Sequence, residues 1–167
     1  ILVSFPLIVL AMAMVAILGS GTANLVVAIA LSFAPRAELV VRSSALQVRH
    51  TTYVEAARAI GAGPWRIILR HMLPNVLAPY LVMLTAFLGQ AILLEASLSF
   101  LGLGVQPPTP SWGQILSNSN QFLDIAWWMT IIPGFAIFLT ITSYNLIGEG
   151  FQEAIDPKKR KGTSKSD

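Results

Sequence analysis

The sequence predicts an all-α fold: a polytopic bundle of helices that crosses a lipid membrane several times. Of the 167 residues, 54% are apolar and only 11% are charged, and the mean hydropathy is +0.67. One soluble core of this size cannot bury that much apolar surface, so lipid must solvate part of it. Long stretches without charge supply the third observation, because a helix needs about 20 apolar residues to cross the hydrocarbon core.

Four stretches approach that length and are predicted to span the membrane: residues 1–18, 25–41, 75–94 and 125–147. The second contains Pro35, Arg36 and Glu38, and it is kept as a span because long basic side chains can reach the headgroups at a helix end. The chain opens without an initiator Met, a basic leader or a cleavage site, so its start does not indicate a signal peptide. We expect a fragment that is truncated at its N-terminus.

Basic residues predict the orientation of these spans. All 11 Lys and Arg fall in two clusters, at positions 36–70 and 158–165, and none lies between His71 and Pro157. Short loops rich in Lys and Arg stay in the cytoplasm, so the polar segment 53–74 and the C-terminus are predicted to be cytoplasmic. The loop 95–124 then lies on the opposite side. We expect one membrane domain over residues 1–157, followed by a polar, basic tail at 158–167.

The polar segment 53–74 is predicted to form two short helices. Thr52 and Glu55 have the spacing of a capping box, which begins a helix that runs to about Ile60. Gly61 then suits the left-handed cap position that ends a helix. Small residues leave a surface that a partner can approach closely. They are Ala56, Ala57, Ala59 and Gly61.

The second helix of the pair is predicted to begin at Gly63-Pro64, with proline at the first helical position, and to end at Pro74. Arg66 and Arg70 lie on one side of it. An apolar stripe lies on the other side, and packing against the protein's own spans is favoured for it over contact with a partner. The stripe consists of Trp65, Ile68, Leu69 and Met72.

The same segment carries a longer motif with fixed spacing. Its residues are Glu55, Ala56, Ala57, Gly61, His71, Leu73 and Pro74, with three residues before Gly61 and nine after it. This motif resembles the cytoplasmic loop in the permease subunits of bacterial and archaeal ABC importers, which reads E-A-A, G and I-x-L-P at these spacings. His71 stands in the isoleucine position, and R-H-x-L-P-N at this point is similar to the dipeptide and oligopeptide branch.

More of the chain is similar to that branch, so the resemblance covers nearly all of it. The matching pieces are LLEASLSFLGLGVQPPTPSWG at residues 93–113, Pro133-Gly134, Asn145-Leu146-x-Gly148-x-Gly150 and Asp156-Pro157. One departure is Glu149, where the branch has aspartate. Permeases of this family usually have six spans, so the resemblance implies about two more upstream.

The resemblance also implies a role for the helix pair, as a coupling element seated on an ATPase subunit. The implied coupling residues are Glu55, Ala56, Ala57, Gly61, Leu73 and Pro74. The implied partners are a second permease subunit, two ABC ATPase subunits, an extracytoplasmic substrate-binding protein and the bilayer of a bacterial or archaeal plasma membrane. ATP and Mg²⁺ belong to the ATPase subunits, and no cofactor belongs to this chain. Substrates of the branch include dipeptides, oligopeptides, nickel complexes and glutathione.

The residues themselves show no catalytic apparatus. The sequence has no G-x-x-x-x-G-K-[ST] phosphate loop, no cysteine and no nucleophile constellation, so it predicts a transport subunit rather than an enzyme. No catalytic residue is assigned. His50 and His71 lack a matching ligand set, so no metal site is predicted.

Three polar side chains in or beside the predicted spans are candidates for a translocation path: Gln90, Glu95 and Asn145. Gln90 and Asn145 fit hydrogen bonds to neighbouring helices equally well. Glu95 follows an uncharged run of 20 residues, so its carboxylate must either reach the membrane interface, which is favoured, or face a wet cavity.

Two other functions remain open. A secondary transporter or channel subunit, not coupled to ATP, would display broken helices or intramembrane carboxylates, and Pro133-Gly134 is the sign of a break. A membrane-tethered helix-turn-helix module could bind DNA. The flanking spans and the apolar stripe argue against that module, so no nucleic-acid partner is expected. Stimulation of an ATPase partner distinguishes all three.

Overall fold

The computed structural model describes residues 2–155, and every regular element in that range is helical. The all-α prediction is confirmed. In chain order the helices are α1 (Leu7–Leu18), α2 (Thr22–Arg49), α3 (Thr52–Ala59), α4 (Pro64–Ile67), α5 (Leu73–Phe100), α6 (Trp112–Ser119) and α7 (Trp128–Ile155). A π turn over Ile68–Met72 joins α4 to α5, and short 3-10 turns lie at Leu2–Ser4 and Asn120–Phe122. The predicted tail at 158–167 lies outside the described residues.

Three helical stretches are long and apolar enough to cross a membrane. They are Thr22–Arg49, the continuous stretch Pro64–Phe100, and Trp128–Glu153, with 28, 37 and 26 residues. The predicted first span at residues 1–18 is an α-helix over only 12 residues, about 18 Å in length. Pro6 lies at the start of this helix, and Gly19, with a φ of 83°, lies at its end.

The ends of the other predicted spans differ from the structure. α2 passes through Pro35 and continues to Arg49, beyond the predicted end at Val41. The predicted loop at 95–124 is partly helical, because α5 extends to Phe100 and α6 lies within it. Ser111 caps α6, and its Oγ accepts a hydrogen bond from the backbone N–H of Gln114 at 3.2 Å.

The last helix, α7, begins at Trp128 rather than at residue 125. It passes through Pro133 without interruption. The broken span expected of a secondary transporter is therefore absent from the described part of this helix. Proline is accommodated inside a membrane helix because neighbouring groups can satisfy the carbonyl that it leaves unpaired.

The chain divides into two compact units, of which the first comprises Ile1–Pro35 and Ala86–Asn145. Its core is formed by apolar residues of α1, α2 and α5, and Ala11 and Leu98 are fully buried in it. The ring of Phe33, which belongs to this core, packs against the ring of Phe87 with centroids 4.7 Å apart. Small residues such as Ala11 let helix backbones approach closely.

The second unit comprises Arg36–Thr85 and the residues that follow Asn145. On α7, Gly148 packs so closely against Thr85 that a Cβ there would overlap the threonine Oγ1. A Cβ on Gly150 would meet nothing within 4 Å. Close packing therefore explains the first glycine of the N-L-x-G-x-G piece and not the second.

Candidate functional site

The helix pair, which comprises α3, the turn after it, α4 and the π turn, begins at Thr52. The predicted capping box of Thr52 and Glu55 is wrong, because Thr51 is the N-cap and makes no side-chain cap hydrogen bond. The Thr51 hydroxyl instead donates to the carbonyl oxygen of Val48, at 2.6 Å, and so serves the end of α2. Glu55 still lies in the first turn of α3, where the helix dipole favours a carboxylate.

Gly61 ends the first helix of the pair, as predicted, with a φ of 78° in the left-handed region. Its amide donates to Arg58 O at 2.9 Å, and the amide of Ala62 donates to Ala57 O at 3.0 Å. These are the two hydrogen bonds of a Schellman motif. Ala62 also packs in the same apolar cluster as Ala57, which is the contact that accompanies this motif. Backbone hydrogen bonds therefore define the corner between the helices.

The second helix begins as predicted, with Gly63 at the N-cap and Pro64 at the first helical position. The prediction that Pro74 ends it is wrong, because the helix continues to Phe100 through the π turn. A proline lacks an N–H, and its ring crowds the carbonyl four residues earlier. The wider π turn ends at Met72, two residues before Pro74, and accommodates both effects without ending the helix.

One face of the helix pair is buried, and it holds the two helices together. Val54 and Ala57 of α3 pack against Ile67 of α4. The partly buried side chains around them are Val48, Ala62 and Met72. Ala57, the second alanine of the E-A-A motif, is thus a core residue of the pair, whereas Glu55 is exposed.

Five exposed residues of the pair form what we term its outer surface: Glu55, Ala56, Trp65, Ile68 and Leu69. Other residues of the pair, among them Tyr53, Ile60 and Arg66, are exposed as well. The predicted packing of the apolar stripe on the protein's own spans is wrong within residues 2–155, because Trp65 is 73% exposed and Leu69 is 58% exposed. Ile67 takes the inward position instead. The π turn has more residues per turn than an α-helix, so it moves Met72 out of line with the rest of the stripe.

The charged groups of the pair are exposed and have no partners of their own. Among the described residues, neither Glu55 nor any of the arginines Arg58, Arg66 and Arg70 forms an ion pair. The ion pair that the structure does show lies outside the pair, between Arg42 and Glu38. Leu73 and Pro74, which complete the motif, are also exposed. The outer surface therefore offers both apolar and charged groups for contact.

A second set of polar residues surrounds Glu95 in the first unit. The Ser99 hydroxyl donates to Glu95 Oε1 at 2.6 Å and accepts a hydrogen bond from Val105 N at 3.2 Å. This chain of hydrogen bonds ties the loop after α5 back to the helix. Sequence reasoning missed Ser99, although the spacing of four residues between two polar side chains on one helix is a signal that could have found it.

Two glycines allow the segment after α5 to lie against that helix. A Cβ on Gly104 would overlap Ser99, and a Cβ on Gly113 would overlap the carbonyl oxygen of Ala96. Both glycines belong to the piece at residues 93–113 that resembles the peptide branch. Close backbone approach is therefore the physical reason for small residues in this piece.

Glu95 lies in the wall of a cleft with a volume of about 550 Å³. Its side chain is half-buried there. Apolar residues dominate the remaining wall: Leu25, Val26, Ile29, Val105, Trp112 and Ile115. Thr22 and Ser111 add hydroxyl groups.

The other two candidates for a translocation path lie elsewhere. Gln90 and Asn145 are exposed, and neither makes a hydrogen bond within the described range. Neither lines the cleft at Glu95. The structure therefore does not bring the three polar candidates together.

Comparison with known proteins gives a family. A family model for the inner membrane component of binding-protein-dependent transport systems matches residues 1–161. The glutathione transport system permease protein GsiD of Pectobacterium atrosepticum is 46% identical over 158 residues, which are 95% of this chain and 52% of that protein. GsiD proteins of Escherichia coli O1:K1 and Shigella flexneri serotype 5b are 45% identical over the same shares. The chain spans about half the length of these relatives. Because the family model covers almost the whole sequence, the chain belongs to the family of inner membrane components of binding-protein-dependent transport systems.

Proposed function

We propose that the chain is part of the permease subunit of an ATP-driven importer, and that its helix pair receives the movement of an ATPase subunit. The observation that carries this proposal is the construction of the pair. Its inner face is anchored by Val54, Ala57 and Ile67, while its outer surface leaves Glu55 and Trp65 exposed. An element that is firmly packed on one side and presents apolar and charged groups on the other is suited to a defined protein interface.

The outer surface has the chemistry of an interface centre. Tryptophan is enriched among the residues that dominate binding energy, and Trp65 is exposed in this chain. Ala56 is small and exposed, so a partner can approach the backbone of α3 beside Glu55. The carboxylate of Glu55 can accept charge-assisted hydrogen bonds from basic side chains or backbone amides of the partner.

The link from the pair to the membrane is a continuous helix. The backbone stays helical from Pro64 to Phe100, so no flexible linker separates α4 from the apolar part of α5. A displacement of α4 by a partner therefore moves the first turns of α5 with it. This connection supports a coupling role rather than a passive surface loop.

The orientation in the proposal follows from charge. Arg58, Arg66 and Arg70 support a cytoplasmic location for the helix pair, together with the C-terminus, and a location on the other side for the loop between α5 and α6. The complete transporter then contains a second permease subunit, two ATPase subunits that bind ATP and Mg²⁺, and an extracytoplasmic binding protein.

The substrate in the proposal is a small peptide of the glutathione class, because the relatives reported above carry glutathione in their names. Dipeptides, longer peptides and nickel complexes are the competing substrates. Uptake into vesicles of the complete complex, with each compound offered at the same concentration, ranks them directly.

The test of coupling uses the full-length subunit, reconstituted in vesicles with its ATPase subunits and binding protein. Glu55→Ala and Gly61→Leu are compared with Glu38→Ala and Gly63→Ala, which remove a carboxylate and a glycine that the proposal does not use. A hydrogen bond to a charged group contributes about 1.5–3 kcal/mol, so Glu55→Ala should weaken stimulated ATP hydrolysis about ten- to a hundredfold. Unchanged ATP hydrolysis and uptake in both Glu55→Ala and Gly61→Leu would contradict the coupling role. Uptake that needs no ATP would favour a secondary transporter.

A further inference from the structure

We propose that the cleft at Glu95 is a binding site for the ammonium group of the transported peptide. This proposal rests on the proposed function for the class of substrate, but the site itself follows from the first unit alone. The cleft of about 550 Å³ lies within the size range of small-molecule pockets. It also has their usual composition, with mostly apolar walls and a small number of polar groups.

The charge of the cleft favours a cation. Glu95 is half-buried, and one of its carboxylate oxygens accepts a hydrogen bond from Ser99. The segments 1–35 and 86–145, which form this unit, contain no Lys, Arg or His in their sequence. A half-buried carboxylate in a mostly apolar cleft is stabilised by a nearby positive charge, and these two segments carry no basic side chain. A cationic group bound in the cleft would supply such a charge.

The other residues of the cleft suit an ammonium group in particular. An ammonium has three donors and no acceptor. Glu95 supplies a carboxylate, and Thr22 and Ser111, which also line the cleft, carry hydroxyl oxygens. Trp112 adds an aromatic ring, whose face attracts cations. A hard divalent metal would need about six oxygen ligands, and no group of three or more acidic or histidine ligands occurs among residues 2–155.

Ser99 is a positioning residue in this site. Its hydroxyl donates to Glu95 Oε1 and accepts from Val105 N, so it fixes the carboxylate relative to the loop. Glutamine has the same shape as glutamate and a side-chain oxygen that can accept the same hydrogen bond. Glu95→Gln therefore removes the charge and leaves the Ser99 contact possible, which makes it a selective variant.

The first experiment measures uptake of glutathione and of N-acetylglutathione, which lacks the ammonium group, by the complete complex in vesicles. The same binding protein serves wild type and variant, so its own preference cancels when the two uptake ratios are compared. Glu95→Gln should lower the ratio of glutathione to N-acetylglutathione about ten- to a hundredfold. Asp124→Asn removes the other acidic residue of this unit and should leave the ratio unchanged. Ser99→Ala should keep most of the discrimination, even if the rate falls.

A wild-type ratio in Glu95→Gln overturns the proposal. The proposal is also overturned if Glu95→Gln weakens assembly with the second permease subunit while the complex that still assembles keeps the wild-type ratio. Glu95 would then stabilise the contact between the two subunits.

A second measurement needs no variant. Dicyclohexylcarbodiimide activates carboxyl groups in apolar surroundings, and mass spectrometry of the peptide that contains Glu95 reports the fraction left unmodified. An amide formed between the activated carboxyl and an added amine, with release of dicyclohexylurea, then counts as modification and not as protection. Glutathione and methylammonium should each protect Glu95 in the wild-type complex, whereas N-acetylglutathione and sodium at the same ionic strength should not. Equal labelling under all four conditions refutes the site.

The two experiments also separate this inference from the proposed function. If the wild-type complex takes up no glutathione, the proposed substrate is wrong, and protection by methylammonium still decides whether the cleft binds an ammonium group.

Discussion

Replacing Gly61 by alanine tests how the corner of the helix pair is held. Gly61 has a φ of 78°, and a Cβ there would meet nothing within 4 Å. The cost of alanine is therefore a backbone cost alone, which is about 1–2 kcal/mol for a residue in the left-handed conformation. Gly63, two positions later, also has open space around it but a φ of −64°. Gly63→Ala is thus a control with the same side chain and no left-handed strain.

The cost should appear as local opening. The Schellman hydrogen bonds join Gly61 N to Arg58 O and Ala62 N to Ala57 O, at 2.9 and 3.0 Å. A penalty of about 1–2 kcal/mol raises the population of the open corner by a factor of about 5–30. Hydrogen exchange over residues 52–72, followed by mass spectrometry on the full complex in lipid nanodiscs, should accelerate by that factor. Gly61→Asn should give a smaller acceleration, because asparagine tolerates the left-handed region.

Two results would contradict this reasoning. One is equal exchange in wild type and Gly61→Ala, which would mean that the corner does not depend on the left-handed residue. The other is equal acceleration in Gly61→Ala and Gly63→Ala, which would mean that the added methyl group and not the backbone angle is responsible.

Two further variants test packing. Gly113→Ala places a Cβ on the carbonyl oxygen of Ala96, a backbone atom that cannot rotate away, and overpacking of this kind costs about 1–3 kcal/mol. The thermal unfolding midpoint of the solubilised complex should fall, while Gly134→Ala, where a Cβ meets nothing within 4 Å, should not lower it; equal midpoints would refute the close approach. Ile67→Ala empties a buried position of the helix pair, at a cost of about 2–5 kcal/mol, and should accelerate exchange across residues 52–72. Leu69→Ala, on the outer surface, should change exchange little, and an equal effect of the two would contradict the assignment of inner and outer residues.

Local sequence signals were sufficient where one residue determines the backbone. Gly61 and Pro64 were predicted at the end of one helix and the start of the next, and both occupy those positions. A left-handed cap and a first-turn proline depend on the chemistry of a single residue, so neighbours do not change the outcome. The all-α class was predictable for a related reason, since a long apolar stretch in lipid must satisfy its backbone as a helix.

Local signals failed where a residue had two possible partners. The Thr51 hydroxyl donates to the carbonyl oxygen of Val48, at the end of α2, and accepts no hydrogen bond from an amide of α3. The capping-box spacing of Thr52 and Glu55 was therefore misleading. The apolar stripe failed similarly. Helical spacing shows which residues share a face, but only the packing of α3 on α4 shows that Ile67 is the one that turns inward.

The cleft at Glu95 could not be derived from spacing, because its walls come from segments far apart in the chain. Val26 and Trp112 line the same cavity although they belong to different helices. The sequence shows a carboxylate, Glu95, at the end of an uncharged run. Only the tertiary structure shows that this carboxylate lines a cleft.

The π turn at Ile68–Met72 has a consequence for rotation about the helix axis. It accommodates one more residue than an α turn without changing the direction in which α4 projects from the start of α5. If the same residues rewound as a regular α-helix, that additional residue would rotate α4 by about 100° about the axis and advance it by about 1.5 Å. Deleting one residue from the turn would leave the present direction intact and remove the alternative winding. Such a rotation would move Ile67 relative to Met72, which packs in the same apolar cluster, so the winding of the turn and the contacts of the pair depend on each other.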